Sequence, residues 1–284
     1  MLSHLFRSQA RRSLITGACE YSTKAQKVFA DSKSAEFVAG AASSANFPKF
    51  GHSLPEVIVA GRANVGKSSL FNAVLGRNSL LHTSKKAGHT RQLNFYRVGA
   101  EPGKLILVDA PGYGARGRPE WGDMFDNYLQ TRQELRRVYI LFNAKHGLNS
   151  YDKGMLEHLS NLMLTPRGTQ PWTLQSVITK ADTIPVDDIS TAINKIRKEI
   201  FDVAPLCLRP IVTSTEMTPP FGIDQLRENI IDACGLNKTL LWYVIRKIYE
   251  SYVLKPRQTL HTLTPSLFNL EATTIASHPG LVPF

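Results

Sequence analysis

The stretch that most constrains this chain is GRANVGKSSLFN at residues 61–72, which follows the apolar run VIVA at 57–60. The spacing is G-x-x-x-x-G-K-S, and between an apolar strand and a helix it is the pattern of a phosphate-binding loop. Gly61 and Gly66 allow the backbone to turn its N–H groups inward, so Arg62, Ala63, Asn64, Val65 and Ser69 are expected to line the phosphates with them. The positive end of the following helix adds to this cradle. Lys67 is expected to reach the outer two phosphates and Ser68 to ligate magnesium. The motif implies a bound phosphate chain but does not choose a base.

From EVIVA (56–60) onward, apolar runs alternate with amphipathic ones. LNFYRV (93–98), KLILVD (104–109), RVYILFN (137–143), TLQSVITK (173–180) and LRPIVT (208–213) read as further buried strands. Helices are expected near 67–75, 120–134, 151–164, 186–202 and 222–233, and EPG at 101–103 marks a hairpin turn. The alternation predicts an α/β fold: a mostly parallel six-stranded sheet with one antiparallel edge strand and helices on both faces. Ligands in such folds sit at the carboxyl ends of the strands, where the phosphate loop lies. Residues 25–53, rich in Ala, Ser and Lys without a sustained period, read as a flexible lead-in. The core domain is expected over 54–234, with a C-terminal helix and tail over 235–284. In that last part Leu241, Ile245, Ile248 and Tyr252 fall on one face of a helix too short and too charged to span a membrane.

The net charge of +11 suits a protein that works beside a polyanion. In residues 1–24, Arg7, Arg11, Arg12 and Lys24 oppose the single Glu20, so this stretch carries +3 and the remainder still carries +8. A basic, Ser-containing, acid-poor amphipathic start has the character of a transit peptide, so import into the mitochondrial matrix is expected. Cys19, Cys207 and Cys234 form no C-x-x-C pair and no metal spacing, which reads as incidental thiols in a reducing compartment.

Three more stretches bear on the nucleotide. DAPGYG at 109–114 ends the next long strand after the hairpin; Asp109 can hold magnesium through water, and Gly112 can offer its N–H to a terminal phosphate. TKAD at 179–182 closes another strand. A carboxylate at Asp182 accepts two hydrogen bonds from the N1 and N2 edge of guanine, which adenine lacks, so the site rejects adenine by leaving a charge unpaired. Ser214 and Thr215, after the last strand, are placed to meet the guanine O6 with backbone N–H groups. The polar, basic loop between Gly76 and Gln92 suits a segment that orders on GTP and relaxes on hydrolysis, with Thr83 and Thr90 as candidates to close over the metal.

Taken together and in this order, the set resembles the GTPases of the translation-factor class (TrmE–Era–EngA–EngB) and, within it, the EngB (YihA) family. The family pattern stands here as GRANVGKSSLFN, GHTRQLNFY, DAPGYG and TKAD, over about residues 54–234. The resemblance implies a P-loop GTPase fold, binding of GTP and GDP with Mg²⁺, and hydrolysis in which Lys67, Thr90 and Tyr113 act. It selects Thr90 over Thr83. Tyr113 stands where many GTPases carry a glutamine that orients the attacking water, so slow intrinsic turnover is expected. Related GTPases with this replacement use a residue in the place of Asn64 to hold potassium. As partner the resemblance implies the large-subunit precursor of the ribosome and its rRNA, here the mitochondrial one, with a monomer away from it. Arg116, Arg118, Arg132, Arg136 and Arg137 are candidates for rRNA phosphates. The other readings are an RNA-modification GTPase of a neighbouring family and an organelle scaffold with little turnover. The chain departs from the family pattern at Ala87, His89 and Asn143, and in the long, proline-rich TSTEMTPPFGIDQL.

Overall fold

A computed structural model of the chain describes residues 28–29, 35–50, 53–77, 79–81, 92–114, 119–165 and 168–236. Its centre is a seven-stranded sheet. In chain order the elements are β1 (Ala35–Ala41), β2 (Glu56–Gly61), helix α1 (Lys67–Val74), β3 (Leu93–Val98), β4 (Leu105–Asp109), α2 (Pro119–Thr131), β5 (Leu135–Asn143) and α3 (Ser150–Met163). A two-residue hairpin follows, β6 (Leu164–Thr165) with β7 (Gly168–Thr169), then β8 (Thr173–Thr179), α4 (Val186–Val203), β9 (Leu208–Val212) and α5 (Ile223–Ala233). Strand order across the sheet is β1-β3-β4-β2-β5-β8-β9. The five strands from β4 to β9 run parallel; β3 is antiparallel to β4, and β1 is antiparallel to β3.

Side chains alternate along each parallel strand, and this alternation sorts the helices. Ile58, Ile106, Val108, Val138, Ile140 and Ile178 join one core with Phe125 and Leu129 of α2, Leu156 and Leu159 of α3, and Ile193, Ile196 and Ile200 of α4. Their neighbours Val57, Val59, Leu105, Leu107, Leu141 and Val177 join the other, with Leu70, Phe71 and Val74 of α1 and Leu226, Ile230 and Ile231 of α5. Three helices thus cover one face and two the other. Because both faces are buried, the central strands read as unbroken apolar runs.

Two expectations are corrected. The sheet has seven strands rather than six, and LNFYRV lies one strand in from the edge. The edge is β1, drawn from the segment read as a flexible lead-in. It was hidden because AEFVAGA leaves Phe37 and Val38 exposed and buries only its ends fully, while its backbone pairs with β3 from Ala35↔Val98 to Ala41↔Leu93. The transit-like residues 1–24, most of the loop holding Thr83, Ala87, His89 and Thr90, the arginines at 116 and 118, and the helix expected at 238–253 lie outside the described residues. Among the described residues no helix is long and apolar enough to cross a membrane.

Candidate nucleotide-binding site

The carboxyl ends of β2, β4, β5, β8 and β9 carry the loops singled out from the sequence. After β2 the chain turns through Asn64 and Gly66, both with positive φ (63° and 106°), and enters α1 at Lys67. Gly66 tolerates this left-handed geometry for want of a Cβ, and asparagine is the side chain that adopts it next most readily. Asn64 and Lys180 (φ 57°) are the two non-glycine residues with positive φ among the described residues. They meet: the Lys180 ammonium donates to the Asn64 carbonyl oxygen at 3.1 Å. Beside it the Thr179 hydroxyl, buried, donates to the Val65 carbonyl at 2.7 Å and lies 3.1 Å from that of Phe142. TKAD is therefore sewn to the phosphate loop by a hydroxyl and an ammonium. The exposed side chains of Ala63, Asn64 and Ser69 take no part in this seam.

At the end of β4, Asp109 is buried, and its Oδ1 finds no hydrogen-bond partner among the described residues. Burial pushes its carboxyl up to about 6, with the Lys67 ammonium pulling the other way. The same desolvation lowers Lys67, opposed by Asp109, and the ammonium rests 3.3 Å from the Gly61 carbonyl. Among the described residues Lys67 and Asp109 have only each other as charge partners, which suits a site for a polyanion and a cation. Ser68, the first-turn hydroxyl of α1, is partly exposed. Gly112 passes so close to the loop that a Cβ there would come within 2.9 Å of the Ala63 nitrogen and 3.0 Å of its Cα, both backbone atoms. Only glycine allows that approach.

The base end is built by Asp182 in the single turn Ala181–Thr183. The Ser214 hydroxyl, on a buried residue, donates a short hydrogen bond to Asp182 Oδ1 and accepts one from the Met217 N–H at 3.3 Å. The expectation for Ser214 is corrected here: its backbone N–H is already bonded to the Phe221 carbonyl at 3.0 Å, so it is not free for a base, and its side chain instead orients the carboxylate. Thr215 follows, partly exposed. Asn143 accepts from the N–H groups of Lys145 (2.9 Å) and His146 (3.3 Å) and so forms the turn with an amide oxygen.

A family model described as 50S ribosome-binding GTPase matches residues 56–174. A probable GTP-binding protein EngB of Hyphomonas neptunium is 36% identical over 202 residues, which are 69% of this chain and 86% of that protein. Its counterpart in Rhodospirillum rubrum is 34% identical over 206 residues, 70% and 84% of the two. The chain belongs to the EngB family. It is a GTP-binding protein and a GTPase, and its fold is that of the P-loop GTPases. Among solved structures, Era in complex with MgGDPNP and nucleotides 1506–1542 of 16S ribosomal RNA is 25% identical, with a TM-score of 0.45 over 63% of this chain and 56% of that one.

In this EngB-family GTPase, Tyr113 holds the position of a water-orienting glutamine, but its side chain is turned away to another partner. The catalytic role expected for it is corrected: the ring is buried in the core and its hydroxyl donates to Asp152 Oδ1 at 3.0 Å. Two arginines expected to reach rRNA are likewise spoken for. Arg132 forks onto the buried Glu56 carboxylate at 2.6 and 2.8 Å, and Arg137 is bound to Thr173 and Asn229. Asp152 itself was missed. The spacing Asn149-x-x-Asp152 reads as a helix start, an ordinary capping box, and nothing in it announces that the acid is buried.

Proposed function

We propose that this EngB-family GTPase is a GTP-driven switch that assists assembly of the large ribosomal subunit in mitochondria. In this reading the loop amides from Gly61 to Ser69 and the Lys67 ammonium hold the phosphates, and Asp182, steadied by Ser214, takes the N1 and N2 edge of guanine while Thr215 offers its N–H to O6. Thr179 and Lys180 keep that turn against the loop. Gly112 meets the terminal phosphate. Ser68, Asp109 and Thr90 are the residues that would hold Mg²⁺, and the buried Asp109 Oδ1, without a hydrogen-bond partner among the described residues, fits a cation. When bound, that ion neutralises charge on the phosphates, the larger part of what phosphoryl transfer asks of its surroundings.

What carries the ribosomal reading is the match of residues 56–174 to a family described as 50S ribosome-binding. The basic balance outside residues 1–24 supports it, and the acid-poor, arginine-bearing start supports the organelle. The test is sedimentation of mitochondrial extracts at low salt with GTP, a non-hydrolysable analogue or GDP. Co-migration with a large-subunit precursor in the analogue, lost with GDP and weakened as salt rises, is expected. Free sedimentation in every nucleotide state would overturn the reading.

A further inference from the structure

Asp152 holds more than a capping residue needs. As the third residue of α3 it completes a capping box: its N–H donates to Asn149 Oδ1 and its Oδ2 accepts from the Asn149 N–H, each at 3.0 Å. Acids in this position ordinarily lie at the surface, but Asp152 is 0% exposed. Its remaining capacity goes to the nucleotide site. Oδ1 accepts from the Tyr113 hydroxyl, and the Arg62 Nε forms an ion pair with Oδ2 at 3.0 Å. Arg62 is the first residue after β2, at the mouth of the phosphate loop, and Tyr113 directly follows Gly112. The backbones of Arg62 and Tyr113 also form a parallel bridge of their own. Burial and the neighbouring carboxylate both raise the Tyr113 hydroxyl well above its ordinary value, so the tyrosine keeps its proton and acts as the donor.

GTP and GDP differ only in the terminal phosphate, and the group assigned to it from this side is the Gly112 N–H. The position of Gly112 therefore bears on GTP and on the hydrolytic transition state and is indifferent to GDP. We propose that Asp152 is a positioning residue: by holding Tyr113 and Arg62 on one carboxylate it fixes Gly112 against the phosphate loop and so sets the preference for GTP over GDP. The inference rests on the assignment of Gly112 to the terminal phosphate.

Tyr113→Phe removes the link while keeping the buried ring, Asp152→Asn removes the charge paired with Arg62 and leaves one acceptor oxygen for three donors, and the double variant combines them. Calorimetry with GDP and with a non-hydrolysable GTP analogue, and single-turnover hydrolysis, give the readout. Loss of one buried hydrogen bond to a charged group predicts roughly tenfold weaker binding of the analogue and a comparable fall in rate. GDP affinity is expected to stay within about twofold, and the double variant to be no worse than the poorer single one, since both break the shared Tyr113–Asp152 contact. A merely structural role weakens both nucleotides alike; that result, or an unchanged ratio, overturns the inference alone. A wild-type chain that prefers neither guanine nucleotide over ATP overturns the functional reading beneath it as well. Should Asp152→Asn fail to fold, Tyr113→Phe decides the matter by itself.

Discussion

At the scale of single residues the site works by leaving groups deliberately under-satisfied. Asp182 is exposed and held on one oxygen by Ser214, so the rest of the carboxylate is open to a base. Hydrogen bonds to a charged group are worth about 1.5–3 kcal/mol each. Asp182→Asn should therefore weaken GTP by about 100-fold or more without improving ATP, as calorimetry with both nucleotides will read. Asp109 supplies a second test. Its folded-state value of about 6 lies above its ordinary 3.8, so between these limits the folded chain binds more protons than the unfolded one. Stability then falls as pH rises through this window and levels off above it. Thermal melts of the nucleotide-free, metal-free protein from pH 4 to 7 should show this downward slope, and Asp109→Asn should flatten it. The phosphate-loop residues were legible because a spacing with one chemical use names them. The roles of Tyr113 and Ser214 were not, because whether a hydroxyl or an N–H faces a ligand or a neighbour depends on partners 39 and 7 residues away in the chain.

At the scale of elements, reading succeeded where burial imposes a period. The strands of the parallel sheet and the five helices were found within a few residues because each must present apolar side chains to one of two cores. β1 was missed because an edge strand is defined by its backbone pairing and needs little from its side chains. A similar economy joins helices on the far face. Arg227 of α5 donates from Nε to the Val74 carbonyl at 2.8 Å and from Nη2 to that of Ala73 at 3.0 Å, capping the last carbonyls of α1. Arg227→Ala should destabilise the fold by about 1–3 kcal/mol in denaturant unfolding. Its effect on the choice between GTP and ATP should be small, since it acts at the end of α1 remote from the phosphates. Arg227→Lys, lacking the planar fork, should recover only part of the loss.

At the scale of the whole molecule, net charge proved a poor guide to individual arginines. Arg132 and Arg137 looked like a basic patch in the sequence RRV and its surroundings, yet each closes an interior network: one on Glu56 and Tyr128, the other on Thr173, Asn229 and Tyr139. The rRNA contact proposed above therefore falls to the other cationic side chains. The seam between Thr179–Lys180 and Val65–Asn64 has a different reach. Two carbonyls of the phosphate loop are gripped by Thr179 and Lys180, in the turn proposed above to read the base, which joins those two walls into one jaw. Exchanging one guanine nucleotide for another asks nothing of that jaw. Loss of the terminal phosphate is then felt at the groups proposed to meet it, Gly112 beyond the strand end at Asp109 and Thr90 with the metal.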